Sequence, residues 1–184
     1  MIYLSRICPW WLARALDNPI RRLIHNPKKI LSGYIESGET VLDIGCGSGT
    51  FTISMAKMVG ENGKVIAVDI QEEMLQMVRQ KAAEEGLESR IITLKSEPKR
   101  IGIAEKVDFA LAFYMVHEVP DVEVFLKEIA TTLKPNGELL IVEPVLHVSA
   151  SSFKKTLEAA RLAGLKPISE PAIRFSRSML FQLA

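Results

Sequence analysis

Three glycines at alternate positions, Gly45, Gly47 and Gly49, follow the apolar run Val41-Leu42-Asp43-Ile44 and precede a stretch with helical periodicity. With no Cβ in the way, such a turn lets the backbone approach a bound molecule, and a helix after it presents unpaired N–H groups. That much suits any nucleotide-like ligand. A dinucleotide fingerprint, G-x-G-x-x-G/A, wants a small residue at position 50, where the chain has Thr50. A carboxylate, Asp43, also sits two residues before the first glycine. A buried acid beside a phosphate cradle repels a pyrophosphate. Beside a ligand with an amino cation, or with its charge taken up by loop N–H groups, it is tolerable. S-adenosylmethionine carries an ammonium and a sulfonium and no phosphate, so the acidic turn suits it better than NAD. Asp69 closes the next apolar run, where an acid can accept hydrogen bonds from both ribose hydroxyls, a role shared with NAD enzymes. The competing assignment is structural: Asp43 caps the loop and Asp69 starts a helix at Gln71.

A second set of reactive side chains lies in Phe113-Tyr114-Met115-Val116-His117-Glu118-Val119-Pro120. A histidine titrates near neutrality, so His117 could take a proton from an acceptor hydroxyl, amine or thiol, with Glu118 orienting it. Alternatively His117 packs against a cofactor edge and Glu118 caps the helix beginning at Pro120. Tyr114 is a further candidate wall residue. Glu143 and His147 leave the fifth strand toward the same cleft mouth; either contacts substrate or bonds to the loop, and the loop role is the expectation.

Positioning these residues takes alternating strands and helices, and from about residue 40 the chain reads that way. Strands are expected at 41–44, 64–68, 90–94, 107–113 and 138–142. The helix after the glycine turn carries Phe51, Met55, Met58 and Val59 on one face and is broken by Asn62-Gly63. A helix at 71–85 aligns Leu75, Val78 and Ala82 and stops at Gly86. Another starts at Pro120-Asp121, with Val122, Phe125, Leu126, Ile129 and Leu133 at helical spacing. Pro135-Asn136-Gly137 reads as the turn into the fifth strand. A last helix, 151–163, turns Phe153, Leu157 and Ala160 inward and ends at Gly164. Two short strands near 166–173 and 178–183 are joined by too few residues for a helical crossover, so they should pair antiparallel at an edge. Near-continuous apolar strands alternating with helices mean a parallel sheet covered on both faces, a doubly wound α/β fold.

Residues 1–36 fall outside that rhythm and read as a helical lid segment before a ligand-binding domain at 37–184. Asn18-Pro19 and Asn26-Pro27 each pair a cap with a first-turn proline, predicting two short helices. Trp10, Trp11 and Tyr34, with Arg14, Arg21 and Arg22, could form aromatic walls and an anion-binding rim, or rest on a membrane surface or a second copy; plain packing on the sheet is the alternative.

The bulk numbers are compatible with one domain: 184 residues, 48% of them hydrophobic, suffice for a sizeable core. A net charge of +1 argues against a stand-alone nucleic-acid binder. Cys8 and Cys46 are far apart and lack the spacing of a disulfide framework or a zinc site, so no metal is expected. No apolar run is long enough to cross a bilayer, and Pro9, Trp10-Trp11 and Asp17 interrupt any signal-peptide pattern, so a cytoplasmic protein is expected.

The run Val41-Leu42-Asp43-Ile44-Gly45-Cys46-Gly47-Ser48-Gly49 resembles the first motif of the class I S-adenosylmethionine-dependent methyltransferases. Ala67-Val68-Asp69-Ile70 resembles their second, and Leu133-Lys134-Pro135-Asn136-Gly137-Glu138-Leu139 their turn before strand five. The resemblance covers about residues 38–184, and within the class the sequence is most similar to the small-molecule group typified by ubiquinone/menaquinone biosynthesis methyltransferases. It implies a Rossmann-like, mostly parallel seven-stranded sheet with an antiparallel last strand. Gly45, Gly47 and Gly49 would lie under the methionyl part of the cofactor, in a binding set that includes Asp43 and Cys46. Asp69 would hold the ribose and Ile70 would lie against the adenine. Glu97 matches an acid that bonds the adenine amino group, although Ser96-Glu97 stands where the family has Gly-Asp; a solvated acid opening a short helix is the alternative.

The expected activity is transfer of a methyl group to a small molecule by in-line displacement. The leaving group is already activated, so alignment and desolvation can supply much of the acceleration and a base is optional. Competing readings are a non-catalytic S-adenosylmethionine-binding subunit of a complex and an NAD(P)-dependent oxidoreductase, the latter disfavoured by Asp43 and Thr50. No Asn/Asp-Pro-Pro-Tyr-type tetrad follows strand four, which removes one subgroup of base and amide N-methylating enzymes.

Overall fold

The computed structural model describes residues 24–98 and 100–184, in two compact units divided after Lys95. The Asn18-Pro19 helix, Cys8, Trp10, Trp11 and the arginines at 14, 21 and 22 lie outside the described residues. The Asn26-Pro27 helix is present as α1 (Pro27–Leu31): Pro27 takes its first turn and the Asn26 side chain accepts from the Lys29 N–H at 3.2 Å. It is a short helix, as expected, and Tyr34 falls beyond it.

In the first unit α1 is followed by β1 (Thr40–Ile44), α2 (Thr50–Met58), β2 (Lys64–Asp69), α3 (Glu72–Glu85) and β3 (Ile91–Lys95). The strands run parallel in the order β3-β2-β1, with Asp43 opposite Ala67 and Ala67 opposite Thr93. β1 and β2 are buried along almost their whole length, as strands covered on both faces must be, whereas β3 is partly exposed. Leu75, Val78 and Ala82 are the buried stripe of α3, which stops at Gly86 in the left-handed conformation, its N–H donating to the Ala82 and Ala83 carbonyls.

The end of α2 differs from the expectation. The helix stops at Met58 and the chain turns at Gly60, with φ +68°, ahead of the Asn62-Gly63 pair. Gly63 serves a different need, close approach: a Cβ there would lie 2.5 Å from Val59 Cβ, 2.6 Å from the Val59 carbonyl oxygen and 2.7 Å from that of Glu39. Two of these neighbours are backbone and cannot swing aside. Gly63→Ala is therefore expected to destabilise the protein by about 1–3 kcal/mol, read as a lower urea midpoint at an unchanged m-value.

In the second unit β4 (Val107–Phe113), a 3-10 turn (Val116–Glu118), α4 (Val122–Thr132), β5 (Leu133–Pro144), α5 (Ala150–Leu162), β6 (Leu165–Ser169) and β7 (Ser176–Leu183) follow one another. Their strand order is β4-β5-β7-β6; β4 and β5 are parallel, and β7 is antiparallel to both its neighbours. The last two strands thus pair as expected, with β6 outermost. α4 is capped by Asp121, whose carboxylate accepts from the Val124 N–H at 3.1 Å, so the cap is not Glu118. Leu133, expected on the helix, already belongs to β5. Pro135-Asn136-Gly137 is an irregularity inside that strand: Leu133 pairs with Val107 and Glu138 with Phe109, and Asn136 takes φ +64° to absorb the extra length. Together the units carry the expected fold class, a seven-stranded, mostly parallel sheet with alternating helices and an antiparallel last strand. Among the described residues no helix is long and apolar enough to cross a membrane.

Candidate functional site

The glycine turn of the first unit is fixed at several points. The Cys46 N–H donates to the Val68 carbonyl at 3.0 Å, and the Gly49 N–H closes the turn on the Cys46 carbonyl at 3.0 Å. The Cys46 side chain is sunk into an apolar cluster with Ala67, Leu75 and Val78. Burial pushes its thiol well above the ordinary value, with the charges of Asp43 and Asp69 adding to the effect, so it stays neutral. Gly45, Gly47 and Gly49 all have positive φ. They do different things. A Cβ on Gly49 would lie 2.9 Å from Val78 Cγ2, whereas a Cβ on Gly47 would meet nothing within 4 Å. Gly49 allows α3 to approach, and Gly47 borders open space of the kind a ligand fills.

Asp69 ends β2 and holds the turn from below. Its Oδ2 accepts from the Gly47 N–H at 3.0 Å and its Oδ1 from the Gln71 N–H at 2.9 Å, so it locks the loop and supports the start of α3 together. A carboxylate has about four acceptor sites, so these two bonds and a weaker one from the Ile70 amide still leave capacity for a ligand hydroxyl. Asp43, 2% exposed, lies on the neighbouring strand and accepts from the Thr52 hydroxyl on α2 at 2.5 Å. Burial pushes its pKa from 3.8 up to about 7; the Thr52 hydroxyl pulls against that, and the charge of Asp69 adds to it. Asp69 is also raised by burial, opposed by the Gln71 and Gly47 amides. The nearby Lys81 ammonium donates to the Ser48 carbonyl at 2.7 Å.

The cradle is therefore an acidic one with open space over its central glycine. A diphosphate would add repulsion to two carboxylates already strained by burial. A ligand with an ammonium and a sulfonium would relieve it, so the residues present fit S-adenosylmethionine. Ile70, next to Asp69, is half-exposed. Glu97, in the second unit, is exposed in a tight turn, exchanging backbone bonds with Arg100 at 3.0 and 3.1 Å, and opens no helix.

The second unit gathers its own cluster where β4 and β5 end. Tyr114, the first residue past β4, takes φ +60°, a conformation that costs a non-glycine residue and tends to be kept where a site requires it. Its N–H donates to the Val142 carbonyl at 2.8 Å and its hydroxyl bonds the Ser176 hydroxyl at 2.7 Å. In the turn that follows, His117 Nδ1 lies 2.7 Å from Glu143 Oε2, and Glu143 Oε1 accepts from the Val116 N–H at 3.0 Å. The Glu143 bond raises the His117 pKa, partly offset by burial; Glu118 contributes only a smaller charge effect. His147 lies edge-on, ring centroids 6.0 Å apart.

Glu143 does bond to the loop as the sequence suggests, but it also holds His117, a job assigned by sequence to Glu118. That second bond was not read from the sequence. The available signal was topological: parallel β4 and β5 pair Phe113 with Val142, which brings the next residues of both strands side by side. Thr52 and Lys81 were likewise missed, because a helix residue bonding a strand acid or a loop carbonyl leaves no local pattern. Among the described residues no cluster of three or more His, Cys, Asp or Glu could hold a metal ion.

Residues 35–170 match a family model described as a methyltransferase domain. The chain is 30% identical over 128 residues to a demethylmenaquinone methyltransferase of Lactobacillus johnsonii, covering 66% of this chain and 52% of that one. It is 32% identical over 123 residues to a ubiquinone/menaquinone biosynthesis C-methyltransferase of Escherichia fergusonii, covering 65% and 49%. The chain thus spans about half the length of the curated relatives it matches. Among solved structures, a SAM dependent methyltransferase from Aquifex aeolicus superposes with a TM-score of 0.87 at 28% identity, covering 97% of this chain and 100% of that one.

Proposed function

The chain belongs to the methyltransferase-domain family, and from that premise we propose that it is an enzyme that takes a methyl group from S-adenosylmethionine and passes it to a small molecule. The observation that carries this reading is the buried Asp43–Asp69 pair beneath the glycine turn, which suits a cationic ligand and repels a diphosphate. Asp43, with Thr50 after the turn, disfavours an NAD(P)-dependent oxidoreductase. The names of the relatives favour an enzyme over a non-catalytic binding subunit.

When bound, S-adenosylmethionine supplies an electrophilic methyl on a sulfonium that leaves as a neutral thioether. Asp69 would hold the ribose hydroxyls through its free lone pairs, the backbone at Gly45, Cys46, Gly47 and Gly49 would approach the methionyl part, and Asp43 would balance its ammonium. Ile70 would lie against the adenine, with Glu97 as a further adenine contact. His117 would accept the proton given up by the acceptor, and Glu118 would add charge nearby. We take the enzyme to act in the cytoplasm, with residues 1–36 as a lid on a domain at 37–184, or as its contact with a membrane surface or a second copy.

The test is methyl-label transfer. Purified protein with label on the donor methyl should label small molecules in a cell extract, and demethylmenaquinone, named for the Lactobacillus johnsonii relative, is the first pure acceptor to try. Cofactor binding with no labelled product in any fraction would favour the non-catalytic subunit.

A further inference from the structure

We propose that Glu143 is a positioning residue that fixes the His117 ring with Nδ1 protonated and Nε2 turned out as a proton acceptor, so that the methyl acceptor is a group that loses an O–H, N–H or acidic C–H proton as it is alkylated. The substrate class rests on the methyl-transfer reading; the positioning does not.

The geometry leaves little freedom. An ionised carboxylate only accepts, and a backbone N–H only donates. Glu143 Oε1 is taken by the Val116 N–H at 3.0 Å, and Oε2 faces His117 Nδ1 at 2.7 Å. The proton in that second bond must come from the ring. In the neutral imidazole Nε2 then carries the lone pair. The Glu143 side chain is 1% exposed and the His117 side chain 26%, so the acid is walled in and the ring reaches outward. Burying a carboxylate is costly without partners, and two N–H groups converging on it meet that need. Among the described residues, two other charged or titratable groups bear on the ring: Glu118 from its own turn and His147 from the turn after β5.

When bound, S-adenosylmethionine would supply the electrophilic methyl and keep the carbon–sulfur electron pair, so no oxidant or reductant is needed. The proton given up by the acceptor would pass to His117 Nε2 and from there to solvent.

Glu143→Gln tests the positioning without changing shape. Its amide has one accepting and one donating end. Because the Val116 N–H cannot reverse, the Gln oxygen must face it, and the NH₂ then faces His117 Nδ1. That forces Nδ1 to accept and puts the proton on Nε2, disabling the base. The readout is ¹⁵N NMR of the histidine rings in the full chain across a pH titration; the chain has three histidines, and the His117 signals are those lost in His117→Asn. Wild type should show the Nδ1–H tautomer when neutral. Glu143→Gln should show Nε2–H, with a midpoint lower by roughly one pH unit from the loss of a charged hydrogen bond. With an acceptor in hand, Glu143→Gln should lower kcat at least ~30-fold while S-adenosylhomocysteine affinity holds, and Glu143→Asp should recover part of it. An unchanged tautomer and midpoint in Glu143→Gln would overturn the proposal. Should that variant fail to fold, an Nε2–H tautomer in neutral wild type would overturn it alone. Failure to bind S-adenosylhomocysteine would sink the methyl-transfer reading and leave the tautomer result standing.

Discussion

Asp43→Asn is expected to make the ligand-free protein more stable at pH 8 and to cripple its affinity for the cofactor. Asp43 is nearly fully buried, and its pKa is pushed from 3.8 to about 7, first by burial. A carboxyl whose folded pKa lies above its unfolded value favours the fold while protonated. That advantage is complete below about pH 4, fades as pH rises and is gone above about pH 7, where the fold carries a buried charge instead. The rise corresponds to about 4 kcal/mol at pH 8. Asn removes the charge and keeps an oxygen for the Thr52 hydroxyl, but its NH₂ offsets part of the gain, so a net stabilisation of about 1–3 kcal/mol is expected. Urea melts of both proteins at pH 4 and pH 8 check this: the advantage of Asn should be small at pH 4 and grow by pH 8. A wild type that gains stability over Asn between those pH values would contradict it. The same carboxylate gives binding a pH signature. A cationic ligand lowers the Asp43 pKa, so binding near pH 6 should release a proton, and affinity should rise with pH and level off above about 7.

The second large effect is expected at Asp69. Its oxygens hold the Gly47 and Gln71 amides, so Asp69→Ala removes both the ribose acceptor and the lock on the loop beneath it. Charge-assisted hydrogen bonds contribute about 1.5–3 kcal/mol each, and losing those to two ribose hydroxyls should weaken S-adenosylhomocysteine binding at least ~100-fold. Because Asp69 also supports the backbone, the variant should lose about 1–2 kcal/mol of stability as well. Affinity that stays within threefold of wild type would reduce Asp69 to its backbone role.

The fold was legible because its signals are local and periodic. β4 falls at the expected residues, α3 stops at the glycine that can take the left-handed conformation, and the burial of Leu75, Val78 and Ala82 follows their spacing. What misled were residues whose local chemistry competes with tertiary context. Asn62-Gly63 looks like a helix breaker, yet Gly63 is required by the approach of the Val59 and Glu39 carbonyls, and Gly60 makes the turn. Pro135-Asn136-Gly137 has the composition of a turn, but pairing with β4 draws it into a bulged strand. In the candidate site, the acidic turn could be read because Asp43, the glycines and Asp69 sit at strand ends defined by pattern. The His117–Glu143 pair left no local pattern, since it joins the turn after β4 to the end of β5, 26 residues apart in sequence.

The central claim is that the glycine turn and its two buried acids hold S-adenosylmethionine. Titration calorimetry of the full chain with S-adenosylhomocysteine and, separately, NAD tests it most directly. One equivalent of S-adenosylhomocysteine should bind, with affinity reduced at least ~100-fold in Asp69→Ala, and NAD should give no heat. Tight binding of NAD with none of S-adenosylhomocysteine would contradict the account.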